Sequence, residues 1–524
     1  MRFTPKTWPE ATPGRIRSVS QYWDICLADY FFKLAAIARP SKHEAEVSAH
    51  LEAWGLALQA RLGKEVVQVE RDAANNVIVT KAASSAALTR TPLTVLQAHM
   101  DMVCIGDSAD YNPLSDPVIP VPDRQSIRAR GTSLGADDGI GIAMIQCLFD
   151  AEDLVHGPLR AIFTTDEESG MSGAQRLAAH HLLDATYLIN LDWEEYGSMC
   201  IGCADSAIYA LHRKLDLAPS HANSLCFELS ASEFRGGHSG INIHEGRANA
   251  LRVLAGIILR LQESCPLCGL AQLGGGQASN AIPASARAQL VVPHQHAAFM
   301  QECALSIMAD WETEHTLRKG LGSDASEPQA KLELCQTQKS PAASPGVLTP
   351  ACSGDLLRLI MALPTGVYSM SHEYHGLVKS SCNLGKLEME GGHAVLELMA
   401  RSFSRWHSGE LRQTLESAAQ SRGFTLELRS SAPAWPIQEF SKLQDLVRMA
   451  FYTASKQEMQ LTPIHAGLEC GIFAAKAPQL DMVSLGPSLK NAHSVNEELL
   501  LHGLDATLDC LALSLAMIAN SKSD

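Results

Sequence analysis

The sequence predicts an α/β fold: a split catalytic domain with a mainly parallel sheet flanked by helices, and an inserted α+β domain with an internal duplication. Three observations lead there. Short apolar runs alternate with helical stretches up to Cys203, longer alternating strands follow, and helix and strand alternate again from Pro436. The chain has 524 residues, more than the about 250–300 at which a single hydrophobic core stops growing. The expected boundaries are 1–205 and 433–524 for the two parts of the catalytic domain and 206–432 for the insertion.

Taken in order, Ile25 to Leu62 carries a helical period interrupted by Pro40, and Val66 to Val79 alternates around Ala74-Asn75-Asn76, a hairpin-type turn. Leu93–Ala98, Leu159–Thr164 and Tyr187–Leu191 are apolar runs of strand length, separated by helical stretches at Ile140–Phe149 and Gly173–Leu183. Buried strands alternating with helices predict parallel pairing, with ligands bound beyond the carboxyl ends of the strands. In the insertion, Leu225–Ser230 and Ala286–Val292 read as strands, and Ala248–Gln262 and Ala297–Trp311 as helices. Gly320 to Pro345, rich in Ser, Ala, Gln and Pro, reads as a mobile loop over 320–345. Gly385–Glu390, Ala394–Arg401, a helix at Glu410–Ser421 and Thr425–Leu428 then repeat the element order of Leu273–Glu314, which points to a duplication. Leu443–Ala454, Met482–Leu485 and a final helix from Leu499 complete the chain.

Composition narrows the function. Hydrophobic residues make up 46% and charged residues 19%, a globular balance, and the net charge of −15 opposes a polyphosphate partner, so no nucleic acid is expected. No window of about 18 uncharged apolar residues occurs, so no membrane span is expected. The first residues lack an apolar leader and the chain carries 14 cysteines, which together suggest a reducing, cytoplasmic setting. Cys200/Cys203 and Cys265/Cys268 have two-residue gaps, but neither pair has a histidine at ligand spacing, and both are read as ordinary thiols.

Acidic residues and a histidine gather where a parallel sheet keeps its sites. The strand Leu93–Ala98 runs into His99-Met100-Asp101, whose outer side chains point the same way, so Asp101 can hold one ring nitrogen of His99 while the other faces a metal. Asp137 and Asp138 lie between glycines at a loop-to-helix junction. Asp166-Glu167-Glu168 follows the next strand, and Asp192, with Glu194 and Glu195, follows the one after. Adjacent carboxylates are costly unless a cation offsets their repulsion, and a carboxylate can bridge two cations. Mixed His and carboxylate ligands suit zinc, with manganese or cobalt as alternatives. The number of carboxylates favours two divalent ions per chain.

The motifs QAHMDMV, RGTSLGADDGIG, TTDEESGMSGA, NLDWEE, RGGHSG, NAIP, IHAGLECG, and VSLGP followed by NAHSVNEE resemble, in order and spacing, those of the bacterial aminoacyl-histidine dipeptidases. These belong to the two-zinc family that includes aminoacylases and carboxypeptidase G-like enzymes. The resemblance runs from about Asp24 to about Met517. It implies that His99 and Asp192 bind the first metal, Glu168 and His493 the second, and that Asp137 bridges them. Asp138 stands where near relatives often have Asn. By the same resemblance Asp101 orients His99 and Glu167 is the general base. The insertion is the lid, and His238 donates to the developing oxyanion. Asn383 and Arg401 are the candidates for holding the substrate carboxylate, Arg401 reading equally well as an exposed strand-end charge. His465 and Glu469 match a family motif without a defined role and are grouped with the substrate residues.

The implied reaction is hydrolysis of dipeptides, Xaa-His (carnosine-like) and others, by a metal-bridging water. The alternatives are an N-acyl amino acid hydrolase or a carboxypeptidase on the same scaffold. A binding protein without activity would have lost a ligand or the base, and none is missing. A two-metal phosphoesterase would offer basic residues to phosphate, whereas only Arg130 and Arg160 adjoin the acidic motifs. Departures from the family pattern are Val495 and Asn496 behind His493, Ala204-Asp205-Ser206 at the domain crossover, and Trp193 beside Asp192. The sequence leaves the oligomeric state open, a homodimer being one arrangement.

Overall fold

The computed structural model describes residues 20–221, 223–315, 327–337 and 346–521. It divides into two compact units, one of Met1–Gly202, Ile437–Pro463 and Ile472–Asp524, the other of Cys203–Pro436 and Ile464–Gly471.

The first unit is built on an eight-stranded sheet. Its order is Val67–Arg71, Val77–Lys81, Leu159–Thr164, Thr94–His99, Tyr187–Asn190, Asp481–Ser484, Ser198–Cys203 and Gln460–Ile464. The centre is parallel: Thr94–His99 pairs with Leu159–Thr164 on one side and Tyr187–Asn190 on the other, and the latter pairs with Asp481–Ser484. Antiparallel pairings flank it, including the hairpin at Val67–Arg71 and Val77–Lys81. Every residue of Thr94–His99 and Tyr187–Asn190 is buried, which is why these strands read as apolar runs rather than alternating ones. Beyond Asp137 and Asp138, whose backbone is not helical, the helix that ends at Asp150 is buried from Gly139 to Phe149 and apolar nearly all round, as suits a helix inside a core. Each large aliphatic side chain buried there is worth roughly 1.5–3 kcal/mol.

The second unit holds a nine-stranded sheet. Eight strands run Lys331–Gln336, Ser224–Ser232, Ala286–Pro293, Gly269–Gly275, Val378–Glu390, His393–Ser402, Asp205–Lys214 and Thr425–Ala432, and Gly366–Met370 pairs alongside Val378–Glu390. This order is a palindrome about the Gly275–Leu387 pairing. Gly269–Gly275, Ala286–Pro293, helix Ala297–His315 and Lys331–Gln336 on one side correspond to Val378–Glu390, His393–Ser402, helix Arg405–Gln420 and Thr425–Ala432 on the other, so the expected duplication is present. At the junction the backbones nearly touch. A Cβ on Gly276 would lie 1.9 Å from the Gly385 carbonyl oxygen, and the φ of +76° independently favours glycine. Helices Ala250–Ser264 and Pro350–Ala362, one from each half, pack together. Asn249 caps the first by accepting from the amides of Leu251 and Arg252, and Thr349 caps the second, with Pro350 opening it.

Two expectations are corrected. Part of the loop predicted over 320–345 is a strand, Lys331–Gln336, antiparallel to Ser224–Ser232. Its Leu332 and Leu334 alternate with charged residues, an edge-strand pattern hidden by the polar composition around it; the remainder of the 320–345 segment, apart from residues 327–330 and 337, lies outside the described residues. The single helix predicted over Gly173–Leu183 is two, Ser172–Arg176 and His180–Leu183, because Lys476 Nζ draws the carbonyls of Ala174, Gln175 and Leu177 to itself. All 14 cysteines are free thiols. Among the described residues no helix is long and apolar enough to cross a membrane.

Candidate active site

The parallel strands deliver their acidic and histidine residues to one locus of the first unit. His99 closes its strand and is 1% exposed. Its Nδ1 lies 3.1 Å from the Asp101 carbonyl oxygen and 3.5 Å from the Asp101 carboxylate, so the proton sits on that nitrogen and Nε2 is left as the lone-pair side. Nε2 faces Asp137 Oδ1 at 3.0 Å and Asp192 Oδ1 at 3.6 Å. The other oxygen of Asp137 lies 2.9 Å from His493 Nε2, which is also 2.8 Å from Glu168 Oε1. Three ligand groups result, each with ligand atoms within 4.8 Å of one another: His99/Asp137/Asp192 and Asp137/Glu168/His493, which share Asp137, and His99/Glu167/Glu168, which brings the expected base beside both.

This donor set fits two cations. Glu168 Oε1 is buried and orphaned of a well-formed hydrogen bond 2.8 Å from His493 Nε2, a buried acceptor that a cation would satisfy. The electrostatics agree. Burial, with Asp137 and Glu168 nearby, raises the Asp192 carboxyl to about 6, and Asp137 and Glu168 draw the His493 ring up to about 11. Burial also raises the neighbouring Asp138 carboxyl well above its usual range. Four carboxylates this close need positive charge among them.

Asp101 does more than hold His99. Its two oxygens accept from the backbone amides of Glu167 at 3.0 Å and Glu168 at 3.2 Å, and from the Ser41 hydroxyl at 2.8 Å. Burial opposes its ionisation, but His99 and these donors prevail and hold the carboxyl at about 2. One side chain thus fixes the first ligand and the single-turn helix Glu167–Gly170. Trp193 turns its indole N–H to Ser198 Oγ at 2.8 Å, and the loop at Val495 and Asn496 is closed by Asn491 Nδ2 donating to the Asn496 carbonyl. Neither departure displaces a ligand.

Two supports were not singled out from the sequence. Glu497, 3% exposed, accepts from the amides of Leu134, Gly135 and Ala136 at 2.7–2.9 Å and so shapes the loop that presents Asp137. Arg39, fully buried, donates to the carbonyls of Met100, Asp101 and Gly135. Gly135 has φ +67°, and a Cβ there would lie 2.6 Å from Arg39 Nη2. Glu497 stood inside the NAHSVNEE motif, which was its available sign; Arg39 offered only the Arg-Pro step.

The second unit gathers a different set. His238 Nδ1 accepts from the amides of Gly240 and Ile241, so a neutral ring carries its proton on Nε2. Arg401 Nη2 lies 3.5 Å from that Nε2. Arg401 is 6% exposed, which rules out the reading as an exposed strand-end charge, and burial lowers its guanidinium to about 10. His465 Nε2 lies 2.7 Å from Ser381 Oγ; burial, then Arg401 and His238, push its ring to about 3, leaving it neutral. Asn383 donates its amide to the carbonyls of Ser279 and Ala281, and Ala281 pairs with His238 in a two-stranded ladder. Glu469 is fully buried at the start of helix Glu469–Lys476.

Residues 95–518 match the description of peptidase family M20/M25/M40. The chain belongs to this family. It is 32% identical over 473 residues to the cytosol non-specific dipeptidase of Escherichia coli (strain K12), a match covering 90% of this chain and 93% of that one. The crystal structure of aminoacylhistidine dipeptidase from Vibrio alginolyticus superposes with a TM-score of 0.77 at 29% identity, over 95% of this chain and 97% of that one. Aminopeptidase PepT from Bacillus cereus ATCC 10987 shares the fold, with a TM-score of 0.52 at 15% identity over 95% of this chain and 99% of that one.

Proposed function

We propose that this M20 peptidase is a two-metal dipeptidase that hydrolyses Xaa-His and other dipeptides in the cytoplasm. The observation that carries the reading is the pair of ligand groups sharing Asp137, in a chain whose relatives at 29–32% identity are named dipeptidases. His99 and Asp192 would hold one divalent ion and Glu168 and His493 the other, Asp137 belonging to both ligand sets, and zinc is the best match to these ligands. When bound, two such ions supply Lewis acidity toward the scissile carbonyl and lower the pKa of water.

The rest is done by the protein's own groups. Glu167, fixed through its amide by Asp101, takes a proton from the attacking water and returns it to the leaving amine. His238 offers a neutral Nε2–H to the carbonyl oxygen as negative charge develops there. Arg401 supplies a desolvated planar fork for the substrate's terminal carboxylate. Asn383 is a positioning residue that ties the strand beside His238, and His465, neutral, is grouped with Arg401 and Glu469 at the substrate end. The 14 free thiols and the relative named for the cytosol support the cytoplasmic setting.

The test is a substrate panel with metal analysis. Carnosine-like and other dipeptides are expected to be cleaved by protein holding two zinc equivalents. Turnover of acetylated amino acids or longer peptides, with dipeptides left intact, would overturn the reading.

A further inference from the structure

A further group of metal-ligating side chains, apart from those at the catalytic locus, lies on the outer edge of the first unit's sheet. Glu70 sits on the edge strand Val67–Arg71, while the catalytic ligands leave the central strands. His180 and His181 open the short helix His180–Leu183. One ligand atom from each of the three lies within 4.8 Å of the other two.

Successive residues on a helix do not face each other, yet the rings of His180 and His181 are 3.9 Å apart. Their approach brings both imidazoles to one carboxylate. His181 is 5% exposed, and its Nε2 points at Glu70 Oε1 from 3.5 Å. With metal–ligand bonds of about 2.0–2.2 Å, tetrahedral ligands stand roughly 3.3–3.5 Å apart. Burial, aided by His180 and Arg160, outweighs Glu70 and lowers the His181 pKa, so its lone pair is available at neutral pH. The Arg160 charge is matched by Asp184, whose two oxygens accept from its guanidinium at 2.6 and 3.0 Å. Glu70 is left as the carboxylate facing the two rings.

We propose that Glu70, His180 and His181 bind a further borderline divalent cation, of the zinc, nickel or copper class, separate from the catalytic pair. The cation ties the edge strand to the turn that leads into strand Tyr187–Asn190. Binding to the folded chain alone then stabilises it by mass action, and a ligated edge is less open to pairing with another strand.

The test compares zinc content and thermal unfolding of the full chain with those of Glu70→Gln and His180→Ala, both of which alter exposed side chains. After loading with zinc chloride and dialysis, each variant is expected to hold one equivalent less than the parent and to lose part of the zinc-induced rise in Tm, with dipeptide turnover within twofold. Zinc content equal to the parent's overturns the proposal. So does turnover that falls in step with zinc, since the missing ion would then be a catalytic one. Because the difference between chains is read, a failure of the dipeptidase assignment leaves this result interpretable.

Discussion

The two units gather opposite chemistry. In the first, carboxylate oxygens and imidazole lone pairs converge: His99 Nε2 meets Asp137 and Asp192, and His493 Nε2 meets Asp137 and Glu168. In the second, donors converge: the Nε2 side of His238 faces Arg401, with His465 near them. An acceptor-lined site suits cations, and a donor-lined one suits a carboxylate or an oxyanion. The supports differ too. Asp101, Glu497 and Arg39 brace the acceptor site through backbone amides and carbonyls, whereas the donor site leans on Asn383 and Ser381.

Removing metal should separate the two most sharply. Dialysis against a strong chelator is expected to cut turnover by roughly 10³-fold or more, the several kcal/mol that metal polarisation supplies, with recovery on adding zinc. Residual activity near the starting level would sink the acceptor-site reading. Glu167→Gln should come next, lowering kcat by about 10²–10⁴ with zinc content unchanged, as expected for a lost general base. Near-normal kcat in fully loaded protein would remove Glu167 from that role.

The donor site is probed through the substrate's charge. Arg401→Met is expected to cost about 1.5–3 kcal/mol in kcat/KM on a dipeptide with a free carboxylate, and little on its C-terminal amide. Equal losses on both would show that Arg401 does not read the carboxylate. The smallest effect belongs to Glu497→Gln: a loss of zinc affinity of about tenfold, the lower end for residues behind a ligand, with kcat recovered at saturating zinc. A kcat that stays low at saturation would make Glu497 more than a brace.

Much of the acceptor site was legible because it is local. His99, Glu168 and Asp192 each follow an apolar run of strand length, parallel strands carry their ends to one edge, and Asp137 stands out as one of two adjacent acids between glycines at a loop-to-helix junction. His493 was different: with many histidines to choose from, only its motif marked it, and the loop that brings it to Asp137 takes a left-handed conformation at Asn491 and His493. Glu497 and Arg39 act on backbone far away in sequence, and no local pattern announces that. In the fold, the alternation of strands and helices was readable, but the strand Lys331–Gln336 was hidden by the polar composition around it. Nor does any residue type report that Gly275 and Leu387 would join two halves into one sheet.

The strand Asp481–Ser484 lies between Tyr187–Asn190 and Ser198–Cys203 in the middle of the first unit's sheet. During synthesis its neighbours leave the ribosome long before it does, and the slot between them stays open while the whole second unit is made. Non-local pairing of this kind is slow and leaves unpaired edges exposed on the way. The nascent chain therefore carries an unfinished sheet until Asp481–Ser484 has been made, so the exposure of unpaired edges during synthesis is set by topology rather than by final stability.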